Sequence, residues 1–311
     1  MWLFIYQSLA IRSTPVSNQA SPEENLRCIL FMVIAMAGFA VEDAVIKKLS
    51  LTMPVSQVLL LIGLGGLLVF GLVSRVKKID LFVPETRGLT FLVRVGAELI
   101  SAILFAVAIV YASLSMSSAI LQATPLTVAL GGALFLKQKV GMRQWALIGS
   151  GFIGVLLVLQ PGLDGFKVAG LFAVLGVCFL ALRDVVTRTM AISISPVLIS
   201  FWGFFGMLLA GAVTIPIFGD FRVLVFDDLP LLLISSISGS LGYYCVVQAT
   251  QTGDVAVVAP FRYTRLLFAL GLAVIFFDED VNAMMVLGSS LIIGSGIVMI
   301  VSSGSRRKQI N

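Results

Sequence analysis

The chain has 311 residues, 59% of them apolar and 12% charged, with a mean hydropathy of +1.08. Such a composition excludes a soluble globular domain and a disordered chain. The net charge of +5 comes from 21 Lys and Arg against 16 Asp and Glu, but the basic residues fall between apolar runs, so they read as topology marks and no nucleic-acid partner is expected.

A bilayer core asks for roughly 20 apolar residues per helix, and ten segments meet that length. Residues 1–26, with the short apolar run Trp2–Ala10, are expected to form an N-terminal cytoplasmic tail. Span 1, Arg27–Ile46, closes on Val41-Glu-Asp-Ala-Val-Ile-Lys-Lys48, where Asp43 and Lys47 stand one helical turn apart. Span 2 covers Val55–Ser74. Span 3, Gly88–Ile109, carries Arg94 and Glu98 four residues apart and therefore on one helix face. An ionisable group inside a span costs about 2.5–3.5 kcal/mol on insertion scales, so this pair is either a cavity-facing polar site or a self-neutralising pair that fixes packing. Span 4, Ala112–Leu136, contains Gln122 and Pro125, and span 5 is Met142–Leu159. Span 6, Val168–Thr187, ends on Asp184, with Arg188 one turn further on. Spans 7 and 8, Val197–Ile217 and Leu229–Ala249, follow, the latter with Tyr243 as a pocket candidate. Span 9, Val255–Phe277, places Arg262 and Arg265 beside Tyr263 and the helix breaker Pro260. Two cations on one face can hold a carboxylate or phosphate while the ring stacks on a planar ligand, or they can snorkel to the interface. Span 10, Asn282–Val301, leads to a basic tail at 304–311.

If the N-terminus is inside, fourteen Lys and Arg residues, Arg183 among them, fall on the cytoplasmic side, and only Lys47, Lys48, Lys167 and Arg222 on the other. Both termini are therefore expected in the cytoplasm. The chain has no histidine, which removes Ser/His and Cys/His catalysis and His-based metal sites. Cys28, Cys178 and Cys245 lie in apolar segments without metal-like spacing. No catalytic residue, metal or cofactor is expected.

Self-comparison reveals a repeat. An offset of 141 residues carries Asp43 onto Asp184 and Lys47 onto Arg188. Gly149-Ser-Gly-Phe-Ile-Gly154 of span 5 matches Gly288-Ser-Ser-Leu-Ile-Ile-Gly294 of span 10 at nearly the same offset. The small-residue spacings Ser150-x3-Gly154 and Ser290-x3-Gly294 allow close helix approach. The fold expected is an all-α membrane protein, ten transmembrane helices in two five-helix repeats at 27–162 and 163–303. Five spans per half turn the second copy upside down, an architecture of secondary transporters that bind substrate near the midplane between the halves. Asp43, Lys47, Asp184 and Arg188 are expected to form interfacial ion pairs that define helix ends or gate the two mouths.

Two stretches resemble the drug/metabolite transporter superfamily in its EamA-type, ten-helix form. One is Ala119-Ile-Leu-Gln-Ala-Thr-Pro125 with Leu134-Phe-Leu-Lys-Gln138; the other is Ala256-Val-Val-Ala-Pro260-Phe-Arg262-Tyr263 with Phe276-Phe-Asp-Glu279. Glu279 stands where that family has a helix-end glutamate, and Gln138 takes the matching place in the first half. The stretch from Val41 to Lys48, with Met53-Pro-Val-Ser-Gln57, is similar to bacterial riboflavin importers, which makes riboflavin a candidate substrate; other relatives move amino acids or S-adenosylmethionine. The resemblance implies a multi-pass transporter in the bacterial inner membrane, its partners a small-molecule substrate and the bilayer, with a homodimer left open. Arg94, Glu98, Gln122, Tyr243, Arg262, Tyr263 and Arg265 are the candidate substrate-binding residues. The rival class, an integral membrane enzyme acting on lipid, would need clustered acids or histidine near the membrane face, and the dense acidic cluster Asp278-Glu279-Asp280 stands in a short loop without a companion.

Overall fold

The structure, a computed structural model, describes residues 21–135, 141–160, 168–189, 194–218, 221–252 and 255–308. Among these residues no strand occurs. The helices are α1 (Pro22–Leu49), α2 (Val55–Lys77), α3 (Leu89–Tyr111), α4 (Leu114–Leu121), α5 (Thr124–Phe135), α6 (Met142–Leu159), α7 (Gly170–Thr189), α8 (Pro196–Phe218), α9 (Asp228–Thr252), α10 (Val255–Val258), α11 (Thr264–Phe277) and α12 (Ala283–Lys308). Among the described residues, eight apolar helices are long enough to cross a bilayer. The fourth span is divided between α4 and α5, and α12 supplies the tenth. Ten spans therefore build an all-α, multi-pass membrane protein.

Local chemistry sets the helix ends. Ser21 caps α1 by accepting from the Glu24 backbone N–H at 3.2 Å while the Glu24 carboxylate accepts from the Ser21 N–H at 2.7 Å, with Pro22 in the first turn. Lys78 stops α2 in the left-handed region at φ 54°. Both interrupted spans break at a proline. Pro125 has no N–H, and its ring excludes the ordinary bond to the carbonyl of Leu121. The chain tightens there, with Gln122 and Ala123 donating to Ala119 and Ile120, and the Thr124 hydroxyl takes up the Leu121 carbonyl. Pro260 opens the 3-10 turn Ala259–Tyr263 between α10 and α11.

The packing has the symmetry that the repeat requires. The most extensive contacts join spans 1 and 8 (α1 with α9), 3 and 6 (α3 with α7), 2 and 7 (α2 with α8), and 5 and 10 (α6 with α12). Exchanging each span with its counterpart five places along turns the first pair into the second and returns the last two to themselves. That invariance is what a pseudo-twofold relating two oppositely oriented halves produces. Bare backbone permits the closest of these approaches. A Cβ on Gly154 would lie 2.6 Å from the carbonyl oxygen of Gly288. Gly294, expected to serve in the same way, has nothing within 4 Å of such an atom.

Candidate functional site

The interface between the halves encloses a cavity of about 240 Å³. The end of α1 contributes Glu42 and Asp43, α3 Arg94 and Glu98, the α4–α5 break Gln122, α7 Arg183 and Asp184, α9 Tyr243, and the Pro260 turn with α11 Arg262 and Arg265. Four arginines thus face four carboxylates. Apolar walls come from Met36, Phe39, Leu59, Phe105, Phe204 and Met207.

Most of these charges are engaged. Arg183 donates through Nη1 to Glu98 at 2.9 Å and through Nη2 and Nε to Asp184 at 2.8 and 3.1 Å. Tyr243 donates its hydroxyl to Glu98 at 2.9 Å and accepts from Arg94 Nη2 at 2.7 Å, and Arg94 Nε donates to Thr187 Oγ1 at 3.1 Å. Arg262 reaches the second Asp184 oxygen at 3.2 Å. Arg265 donates twice to Asp43, at 2.6 and 3.2 Å, with its guanidinium 5.1 Å from the Phe39 ring centre and 5.6 Å from that of Phe105. These are charge-assisted bonds withdrawn from bulk water, the setting in which such bonds are strongest. Three polar atoms among the lining residues are left without a partner: Glu42 Oε1, Arg94 Nη1 and Gln122 Nε2.

Six of the sequence-predicted residues, Arg94, Glu98, Gln122, Tyr243, Arg262 and Arg265, meet in this one cavity. The Arg94 and Glu98 charges are 3.7 Å apart and do not saturate each other, because Glu98 points at Arg183. Tyr263 turns the other way. Its ring packs on Gly296 of α12, 4% exposed, and does not line the cavity.

The pairing read one turn along the helix needs correction. Asp43 pairs with Arg265, not Lys47, because the inverted second half brings α11 against the end of α1. Asp43 and Asp184 line the same cavity and do not mark opposite membrane faces. Lys47 instead pairs with Glu279, whose two oxygens accept the first backbone N–H groups of α4, from Leu114 at 2.8 Å and Ser115 at 2.9 Å. Burial pushes the Glu279 carboxyl up, but the bonds from Lys47, Ser115 and Leu114 outweigh it and hold the group below its ordinary value. Gln138 and the side chain of Arg188 lie outside the described residues. Of the other polar candidates, Gln57 ties the backbone of Arg222 at 2.7 and 2.9 Å and Trp202 donates to the Leu81 carbonyl at 2.9 Å, so both hold loops to helices.

Sequence reasoning missed two residues. Arg183 counted as a cytoplasmic-side cation, yet it bonds two carboxylates in the cavity, and Glu42 went unremarked beside Asp43. The signal was in hand, since the 141-residue offset that pairs Asp43 with Asp184 also pairs Glu42 with Arg183.

The profile of the EamA-like transporter family matches the chain twice, at residues 26–160 and 167–302. Among similar curated proteins, a "Riboflavin transporter" of Rhizobium johnstonii is 25% identical over 61% of this chain and 63% of its own length. An "S-adenosylmethionine uptake transporter" of Rickettsia bellii is 25% identical over 57% of this chain and 60% of its own. The chain therefore spans less than two thirds of the length of these two relatives. The "Pseudopaline exporter CntI" of Pseudomonas aeruginosa, also 25% identical, aligns over 87% of this chain and 95% of its own. One crystal structure, 13% identical, covers 92% of this chain and 98% of its own at a TM-score of 0.59, a likeness of fold alone.

Proposed function

The chain belongs to the EamA-like transporter family, and from that premise we propose that it is a secondary transporter moving a small polar metabolite across a bacterial inner membrane by alternating access, with both termini cytoplasmic and no catalytic step. One observation carries the reading: the ion pairs Glu98–Arg183 and Asp43–Arg265 and the Arg94–Tyr243 bond all join one half to the other at the cavity. Halves that rock about a central site must break and remake their mutual contacts. Polar bonds beside an aqueous cavity can be exchanged for bonds to water or cargo, which buried apolar packing cannot. Asp43–Arg265 acts as a movable contact between the halves in this scheme, and Lys47–Glu279 closes one mouth by fastening α1 and the end of α11 to the start of α4.

Riboflavin is the candidate cargo, supported by the stretch from Val41 to Lys48 and by the names of two relatives. A second reading, an amino acid or S-adenosylmethionine, is favoured by the matched set of four arginines and four carboxylates, and the amino acid further by a cavity volume below the roughly 300–1,000 Å³ of drug-sized pockets. Reconstitution into liposomes, with uptake of radiolabelled riboflavin, S-adenosylmethionine and amino acids with and without an imposed pH gradient, tests both. Saturable flux of at least one compound above that of empty vesicles is expected. Flux no faster than in empty vesicles for all of them would remove the transporter reading.

A further inference from the structure

Spans 2 and 7, and spans 5 and 10, pack on their own symmetry mates, so the pseudo-twofold carries one end of each pair onto the other end. Matched side chains would hold both ends alike and leave the protein without a preferred side. The two ends differ. At the face bearing the α1–α2 and α8–α9 loops, three polar ties cross from one half to the other. Lys47 pairs with Glu279, whose oxygens also accept from Leu114 and Ser115 of α4 at 2.8 and 2.9 Å. The Gln57 amide donates to and accepts from the backbone of Arg222 at 2.7 and 2.9 Å, and the Arg222 guanidinium reaches the Thr52 carbonyl at 3.2 Å. Gln160, at the end of α6, donates to the Asn282 side chain at 3.0 Å, and the same Asn282 oxygen caps α12 by accepting from the Met285 N–H at 2.8 Å.

The equivalent positions at the opposite face carry other chemistry. The 141-residue offset turns Gln57 into Leu198 and Arg222 into Leu81. These leucines pack with Phe91 in an apolar cluster, supplemented by the indole bond from Trp202 to the Leu81 carbonyl at 2.9 Å. The cap that opens α6 is Gly141, which offers no side chain where α12 offers Asn282. Lys47 and Glu279 are matched by Arg188 and Gln138, so the ion pair of one face answers to a cation and an uncharged amide at the other. Bonds between ionised partners are roughly twice as strong as bonds between neutral ones. The cavity follows the same gradient. Its wall near the tied face, Ile46, Leu59 and Ala106, is 4%, 1% and 2% exposed, whereas the Arg262 side chain, on the turn toward the other face, keeps 28%.

We infer that Lys47, Gln57, Gln160, Glu279 and Asn282 are positioning residues of a one-sided lock, which holds the outer mouth shut and makes the cytoplasm-facing conformation the resting state of the empty protein. A contact made in one conformation and missing from its mirror image shifts the population toward the first. The inner mouth opens and closes on weaker contacts, so breaking the outer ties is the slow step by which the empty carrier turns outward. This inference rests on the carrier reading above, with both termini cytoplasmic, and adds a preferred side to it.

The test is labelling of a cysteine reporter, Ala102→Cys, on the α3 wall of the cavity. The full-length chain in proteoliposomes is treated with a membrane-impermeant maleimide from either face, protease access to a C-terminal tag identifies the face of the tail, and the chain without the reporter gives the background of the native cysteines. The reporter should react at least tenfold faster from the face of the tail. Glu279→Gln, Gln57→Leu and Asn282→Gly each install the residue that the other half carries. Each should raise the rate from the tail-free face at least threefold and lower it from the other, and the three together should raise it at least tenfold. A change that only loosened the packing would speed labelling from both faces. Equal rates from the two faces in the parent, faster labelling from the tail-free face, or variants that speed both faces alike or leave the tail-free rate unchanged would each overturn the lock. If the triple variant does not fold, the single variants decide. Because labelling needs no cargo, the carrier reading is judged separately: one-sided labelling without flux of any cargo keeps the lock and removes the carrier, and flux with symmetric labelling does the reverse.

Discussion

At the 141-residue offset Glu42-Asp43 of α1 corresponds to Arg183-Asp184 of α7, and the two copies differ in how far their charges are satisfied. In α7, Arg183 bonds two carboxylates, and Asp184 receives a second arginine from the Pro260 turn. In α1, Asp43 has one arginine and Glu42 none. With arginine at the position equivalent to Glu42, the second copy forms a structural knot of one cation and two carboxylates, while the first keeps an acid that no hydrogen bond or ion pair holds among the described residues. Symmetry in the backbone thus coexists with a difference in the side chains, one end tying the halves together and the other keeping an unpaired acid among the described residues.

The strongest way to break this comparison is to untie the knot. Arg183→Ala takes three donated bonds from Glu98 and Asp184 at once, leaving Asp184 with Arg262 and Glu98 with Tyr243 and Arg94, and removing one partner from a buried pair costs about 3–5 kcal/mol. We expect a loss near the bottom of that range, still the largest of the set, read as a lowered unfolding midpoint in detergent together with abolished cargo flux. A midpoint within a degree of the wild type would mean that Arg183 does not hold the halves.

The next pair of substitutions sharpens the contrast between the two aspartates. Arg265→Ala leaves Asp43 beside Glu42 without any cation, a loss of about 3 kcal/mol, whereas Arg262→Ala leaves Asp184 still bonded to Arg183 and costs about 1 kcal/mol. The ranking is what matters. Equal losses, measured side by side by thermal unfolding, would show that the two arginines are equivalent and that the number of partners is not the difference between the ends.

Much of this architecture was legible in the residues. The spans follow from apolar length, and the duplication from a polar signature that two unrelated lipid-facing helices would not share. Arg94 and Glu98 were readable as one face because helical spacing is local. What was not readable is contact across the pseudo-twofold. Pairing Asp43 with Lys47 used the only partner that spacing along one helix can offer, but Arg265 arrives from a span over 200 residues later, brought there by inversion. Tyr263 illustrates the same limit from the other side: it sits between two cavity arginines in sequence, yet the 3-10 turn after Pro260 rotates it toward α12. Arg183 was counted on the cytoplasmic side because charge counting assigns helix-end arginines to the interface, a rule that an acid on the facing helix overrides.

Away from the cavity, the mouth offers a smaller test. Glu279→Gln keeps the shape but removes the ion pair to Lys47 and weakens the bonds to the start of α4, for a loss of about 1.5 kcal/mol. The native carboxyl is held below its ordinary value of 4.5. A group depressed in the folded state adds stability above its unfolded value and loses it as the pH falls through the folded one. The wild-type midpoint should therefore drop as the pH is taken below 4.5, with the part due to Glu279 missing in the variant. Identical acid limbs for the two proteins would show that the clamp carries no linkage.

The smallest expected effect has the opposite sign, and it separates the two copies most cleanly. If Glu42 were a structural acid with an unrecognised partner, Glu42→Gln would destabilise the empty protein as the other cavity substitutions do. If it is the unpaired member of the set, the change replaces a side chain that bonds nothing among the described residues by an amide of the same volume, and leaves stability unchanged or raises it by up to about 1 kcal/mol. Unfolding midpoints of the two proteins, measured side by side, decide between these outcomes. A Glu42→Gln protein less stable than the wild type would place Glu42 with Arg183 among the structural charges and erase the distinction between the helix ends.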